Sequence, residues 1–138
     1  MNAPHTDLSD LAELTGGWVN FDTTATGIRL VDVIDDEGRL ALTIAEGGPG
    51  VPDSHTALTA TALLDPDGDG QAVGFLAEGR LGSLDAILCG YLNRGLLTID
   101  VHTSHPDDRR TPPVMYRAHY YRPEHARPSA SLEGAPLP

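Results

Sequence analysis

The chain has 138 residues, with 20 acidic side chains against 9 basic ones, no lysine, and a formal net charge of -11. That length suits one domain. The charge argues against nucleic acid and anionic membranes as partners, because both need clustered Lys or Arg to release counterions.

Other features of composition point to a soluble protein. A lone cysteine, Cys89, has no partner for an internal disulfide. The opening MNAPHTDLSDLAELTGG has neither a basic n-region nor an apolar run, so a cytoplasmic protein is expected. The longest apolar stretches, such as Leu40 to Ala45 and Ala86 to Cys89, are strand-sized and far short of a ~20-residue membrane span.

Residues 1–15 form a lead-in. Leu8, Leu11 and Leu14 recur at the three-residue spacing of one helical face, which predicts a short helix over 7–14 plugging the end of whatever follows. From Gly16 the pattern changes to short runs of Val, Ile, Leu, Thr and aromatics, each closed by Gly, Asp, Asn or Pro. Eight such segments are predicted as strands: 17–21, 28–34, 39–45, 56–64, 72–80, 84–92, 96–104 and 114–122.

Eight is a number that closes a barrel. The connections are short: DDEG at 35–38 and NRG at 93–95 suit type I turns with Gly38 and Gly95 in the left-handed region. Helix-sized crossovers are missing, which disfavours parallel pairing, and closure removes the two exposed edges of an open sheet. The expected fold is all-β: an eight-stranded antiparallel up-and-down closed barrel over 16–122, with a short N-terminal helix. Residues 123–138, rich in Pro, Ala and Ser, read as a flexible tail.

Strand alternation assigns the faces. Leu40, Leu42 and Ile44 share one face of the third segment, and Leu97, Ile99, Val101 and Thr103 one face of the seventh. In the eighth, Met115, Arg117, His119 and Tyr121 oppose Tyr116, Ala118 and Tyr120, and either set could look inward. The tyrosines would orient a carbonyl-bearing ligand, whereas Arg117 and His119 would favour an anionic head group.

The first segment, L-T-G-G-W-V-N from Leu14 to Asn20, resembles the opening strand of the avidin family, and its Gly-x-Trp is shared with lipocalins. GRLALTIAEG at 38–47, AVGF at 72–75, CGY at 89–91 and the closing MYRAHYYR are similar to later strands of that family, in order. The resemblance implies that Trp18 and Asn20 point inward, Asn20 donating to a ligand's polar head with Thr24 near a hydroxyl position. It also implies an inward aromatic at Phe75 and inward Leu84, Ala86, Leu88, Val101 and Thr103. The departures are as informative. Family positions with aromatic walls fall on Gly79, Leu88 and Thr103, those with hydroxyls on Leu84 and Ala86, and the eighth-strand carboxylate near Ala118 or His119. A drier, less aromatic pocket implies a ligand other than biotin.

Motifs for other chemistry are weak. DPDGDG at 65–70 matches the first half of a calcium loop, but position twelve is Leu76 where a bidentate Glu belongs, so a polar hairpin turn is expected. His102, His105 and Asp107 are too few for a typical zinc site, and no histidine is spaced to activate Cys89. No metal and no cofactor are expected.

The leading function is therefore binding of a small hydrophobic metabolite inside the barrel. The predicted lining is Trp18, Asn20, Leu42, Ile44, Phe75, Leu88, Val101 and Thr103, with Tyr116, His119 and Tyr120 from the last strand. The alternative is a cofactor-independent cyclase or isomerase using Asn20, Tyr116, Tyr120 and His119 on a flexible apolar substrate. Ile87, Cys89 and Tyr91 should face outward and need cover, which predicts a homodimer or larger homo-oligomer.

Overall fold

Antiparallel pairing of every consecutive strand, and of the last with the first, closes this chain into a barrel in a computed structural model describing residues 11–24, 26–48, 50–67 and 70–123. The strands are β1 (Gly16–Asn20), β2 (Gly27–Asp36), β3 (Arg39–Gly48), β4 (Val51–Leu64), β5 (Ala72–Leu81), β6 (Leu84–Asn93), β7 (Leu96–Ser104) and β8 (Val114–Tyr121). All eight expected strands are present, and β7 has the expected limits. The chief difference is β4, which begins five residues before the expected Thr56. Pro52, Asp53 and Ser54 read as loop residues, but β3 runs on to Gly48, and pairs such as Glu46 with Ser54 hold the ribbon extended.

The hairpin turns differ in type from expectation. Glu37 and Gly38 both have positive φ (54° and 88°), as do Arg94 and Gly95 (57° and 81°). Positive φ at both central residues marks the I′ turn, whose twist matches the flanking strands where a type I turn would splay them. The Asp35 carboxylate accepts a hydrogen bond from Gly38 N at 2.8 Å, which helps hold the Glu37 backbone in a region costly for a non-glycine residue.

The predicted N-terminal helix lies mostly outside the described residues. The part described is a turn: Leu14 N and Thr15 N both donate to Leu11 O, at 2.9 and 3.1 Å, and Leu11 and Leu14 are fully buried. They cap the barrel end that also carries the β2–β3, β4–β5 and β6–β7 turns. Residues 124–138, most of the predicted tail, lie outside the described residues.

Inward positions from all eight strands form one core. Val31, Leu42, Ile44, Phe75, Leu88, Ile99 and Val101 have no exposed surface at all, so no water-sized void borders them and the middle of the barrel is filled by side chains. Glycines make that filling possible. A Cβ at Gly90 would overlap the Phe75 ring, and one at Gly79 would overlap Leu58.

Closure is tight around most of the barrel and brief at one seam. β3 pairs with β4 over eight registered positions, whereas β1 and β8 share two, Val19 with Tyr121 and Asn20 with Tyr120. One further bond, Phe21 N to His119 O at 3.0 Å, extends the seam. Beyond it, toward the end with the β1–β2 and β3–β4 turns, β8 has no β1 partner.

Candidate functional site

The register of β8 decides which of its faces looks inward. Tyr120 stands opposite Leu97, Ala118 opposite Ile99 and Tyr116 opposite Val101, so the tyrosine face joins the core side. His119 does not: it stands opposite Thr98 on the outer face, exposed, with its Nδ1 3.1 Å from the Thr98 hydroxyl. Arg117 is also outside, paired with Asp100 through two hydrogen bonds of 2.6 and 3.2 Å. The inward assignment of His119 is thus corrected, because a one-residue alternation separates it from both tyrosines.

The remaining predicted lining residues divide into three groups. Leu42, Ile44, Phe75, Leu88 and Val101 are central filler. Trp18 belongs to the capped end: its indole Nε1 donates to Leu14 O at 2.8 Å, and the Arg122 guanidinium sits 4.4 Å over its ring while donating to Glu13 O. This arrangement fastens the chain after β8 and the turn before β1 to one aromatic plate. Asn20, Thr103, Tyr116 and Tyr120 lie toward the opposite end.

At that opposite end the inward positions lose their cover. Glu46, Thr56, Leu84, Thr103 and Tyr116 are only half-buried, and Val114 is exposed. The β1–β2 loop covers part of the rim, with the Thr26 methyl against Gly48. The rest forms a mouth whose floor is the apolar core and whose wall, at the β8–β1–β2 seam, is polar.

The seam wall centres on one carbonyl. The β1–β2 ladder ends at Val19 opposite Leu30, short of Ile28, and the β2–β3 register is irregular between Ile28 and Leu30. Side chains take over: Tyr120 Oη donates to Ile28 O at 2.9 Å, and Asn20 Nδ2 donates to it at 3.1 Å. Asn20 Oδ1 in turn accepts from Asp22 N at 2.9 Å. Much of the polar capacity of Asn20 and Tyr120 is therefore engaged in closing the barrel. Thr24, four residues beyond Asn20, is exposed in the loop and bonds Asp22.

Tyr116 and Glu46 are differently placed. The Tyr116 phenol reaches across the gap left by β1 to lie beside Gly27, and Glu46 is opposite Ile28 in the β2–β3 ladder, on its inward side. Burial raises the Tyr116 phenol above its ordinary range, and the Glu46 carboxylate pushes it further. Burial likewise raises the Tyr120 phenol strongly, with Tyr116 adding and Asn20 opposing. Both phenols are hence hydrogen-bond donors at neutral pH. Glu46 is itself raised by burial. That combination of desolvation and a neighbouring phenol marks a chemically useful carboxyl.

Glu46 is the site residue that sequence reading missed. The inward series Leu40, Leu42, Ile44 continues to it at the same spacing of two, but the expected strand stopped at Ala45.

Other sequence features fall outside this cluster. Asp65 Oδ1 accepts from Asp67 N at 3.0 Å, a turn-forming contact, and Gly68 and Asp69 lie outside the described residues. Among the described residues no three His, Cys, Asp or Glu side chains are grouped to hold a metal ion. Ile87 is exposed and Cys89 and Tyr91 half-buried, alternating with the buried Ala86, Leu88 and Gly90. Two grooves lie away from the mouth. One of about 810 Å³ runs beside Arg39, Thr61 and Leu64, where β4 overruns β3 at the rim of the capped end, and it reaches the inward positions Leu40, Ala60 and Ala62; one of about 350 Å³ lies over Leu30, Thr43, Ala45 and His55 on the outside.

Comparison with known protein families, curated proteins and solved structures finds no match. The architecture, an eight-stranded antiparallel closed barrel, is consistent with a calycin-like fold.

Proposed function

We propose that this barrel binds a small, mostly apolar molecule at its uncapped end, and that its kinship lies with the avidin-like or lipocalin-like barrels. The observation that carries the reading is the contrast inside the barrel. One end is plugged by Leu11, Leu14 and Trp18, with the small apolar Ala60 and Ala62 half-buried at its rim, and the other sets half-buried polar positions such as Glu46, Thr103 and Tyr116 beside a polar seam. Because the centre is filled, the ligand seats above Ile44 and Val101, against Tyr116 and Thr103, rather than deep in the lumen. Apolar floor and few convergent polar groups are the usual make-up of such sites.

Amide-resolved NMR of the protein, titrated with ligand recovered from its source cell by native mass spectrometry, tests this. Shifts are expected at Gly27, Glu46, Thr103 and Tyr116, with residues 11–18 unmoved. Shifts confined to either of the two grooves, beside Thr61 and Leu64 or over Thr43 and His55, would overturn the reading.

A second reading, conversion of the bound molecule by a cofactor-independent cyclase or isomerase, is favoured by one specific observation. Glu46 is a half-buried carboxyl on the inward face, one ladder position from the Gly27 that the Tyr116 phenol approaches, and a carboxyl and a phenol on one wall can share the moving of a proton. Ligand recovered unchanged after incubation supports binding alone; a product lost in Glu46→Gln supports the enzyme. A second copy of the chain, meeting the outer face at Ile87, Cys89 and Tyr91, is the proposed macromolecular partner. A stable monomer in sedimentation at tens of micromolar would overturn that.

A further inference from the structure

The charge inside the mouth is one-sided. Strand alternation turns Asn20, Ile28, Glu46, Thr56, Leu84, Thr103 and Tyr116 toward it, and among these Glu46 alone is charged. Four of the described arginines are engaged with other groups. Arg29 faces Asp53 at 3.8 Å, Arg80 pairs with Asp85, Arg117 pairs with Asp100, and Arg122 lies on Trp18 at the capped end. Arg39 and Arg94 flank turns at that capped end, and Arg109 and Arg110 stand exposed in the β7–β8 loop beside Asp107 and Asp108. Among the described residues no basic group forms an ion pair with Glu46.

A half-buried carboxylate without a counter-ion leaves part of its desolvation uncompensated, and a ligand cation would compensate it. An anionic head group would meet the same carboxylate as a like charge, with none of the described arginines among the inward strand positions to offset it. The Tyr116 phenol, beside Gly27 and so one ladder position from the Ile28–Glu46 pair, adds an aromatic group suited to a cation. The chain's net charge of -11 raises the local concentration of cations and lowers that of anions.

We infer that the ligand class of this mouth is an apolar amine, whose ammonium group is held by Glu46 and Tyr116 while its hydrocarbon part covers the apolar floor. The inference rests on the proposed binding role of the mouth and adds the sign and chemistry of the head group.

Three probes of equal chain length, octylamine, octanol and octanoate, titrated calorimetrically and by NMR into the full chain at neutral pH, test it. Octylamine is expected to bind with shifts at Glu46 and Tyr116, and octanoate at least about ten-fold more weakly. Glu46→Gln should lower octylamine affinity about ten-fold and leave octanol affinity unchanged. Octanoate binding as tightly as octylamine in the unaltered protein overturns the amine class without relying on a variant. Equal binding of all three at the mouth also overturns it while leaving the binding role intact. No shift at the mouth with any of the three overturns both.

Discussion

The two ends of this barrel are built from the same strands but solve different problems. At the capped end an apolar turn, an indole and a stacked guanidinium fill the opening, and the indole N–H is satisfied by a backbone carbonyl. At the mouth the strands β1 and β8 separate early, and side chains of Asn20 and Tyr120 replace missing ladder bonds at Ile28. The first arrangement removes apolar surface from water, which is where a small barrel gains most of its stability. The second holds polar groups in a half-dry setting, which costs stability and creates chemistry. Residues of the capped end should therefore matter to folding, and residues of the mouth should matter unequally, according to whether their polar atoms are already engaged.

The largest expected effect is at the cap. Trp18→Ala removes a fully engaged indole from the core and should cost about 3–5 kcal/mol, measured by urea unfolding. A loss under about 1 kcal/mol would show that the cap is not a stability element. Next comes the filled centre, where Gly90→Ala sets a methyl against the rigid Phe75 ring and should cost roughly 1–3 kcal/mol. A neutral result there would mean that the lumen has room for a ligand after all.

Within the mouth the two tyrosines separate the structural role from the binding role. Tyr120→Phe deletes the donor to Ile28 O in a fully buried position and should cost about 1–2 kcal/mol. Tyr116→Phe keeps the ring and removes a half-buried hydroxyl, so its stability change should stay within about 0.5 kcal/mol while ligand affinity falls. Equal stability losses for the two would place Tyr116 in the seam and remove it from the binding site.

Much of this contrast was legible in the sequence, and the missing parts have physical reasons. Period-two alternation and Gly-ended turns gave eight strands and the inward set Leu42, Ile44, Leu88 and Val101, because burial on one face leaves a direct pattern. Leu11 and Leu14 stood out as apolar residues ahead of the first strand, and both are buried at the capped end. The face of β8 was undecidable because both of its faces carry aromatics, and only pairing with β7 fixes Tyr116 and Tyr120 inside. Trp18 and Phe75 point inward as the resemblance implies, but whether an inward residue lines a cavity or fills one depends on what stands across the barrel, and Gly90 and Gly79 are remote in sequence from Phe75 and Leu58, the residues they accommodate. Glu46 escaped notice because a charged residue after an apolar run reads as the end of a strand.

The smallest effect is the one that bears most directly on what the mouth is for. Glu46 has a carboxyl raised above its ordinary range by burial, so the folded state favours its protonated form more than the unfolded chain does. The resulting stabilisation is full below the ordinary carboxylate range and is lost as pH rises through the raised folded value. At neutral pH the ionised side chain is therefore a slight burden on the fold. Glu46→Gln keeps the shape and removes the charge. It should leave the protein as stable or more stable at neutral pH, by on the order of a few tenths of a kcal/mol after solvent screening of so exposed a group. The difference should vanish in acid below the ordinary carboxylate range, where Glu46 is neutral in both states. Urea midpoints of the two proteins across that pH interval measure it. If the Gln variant is instead weakened at neutral pH by as much as Tyr120→Phe, the carboxylate is holding the seam together, and the mouth is a second cap rather than a site kept at some cost for a ligand.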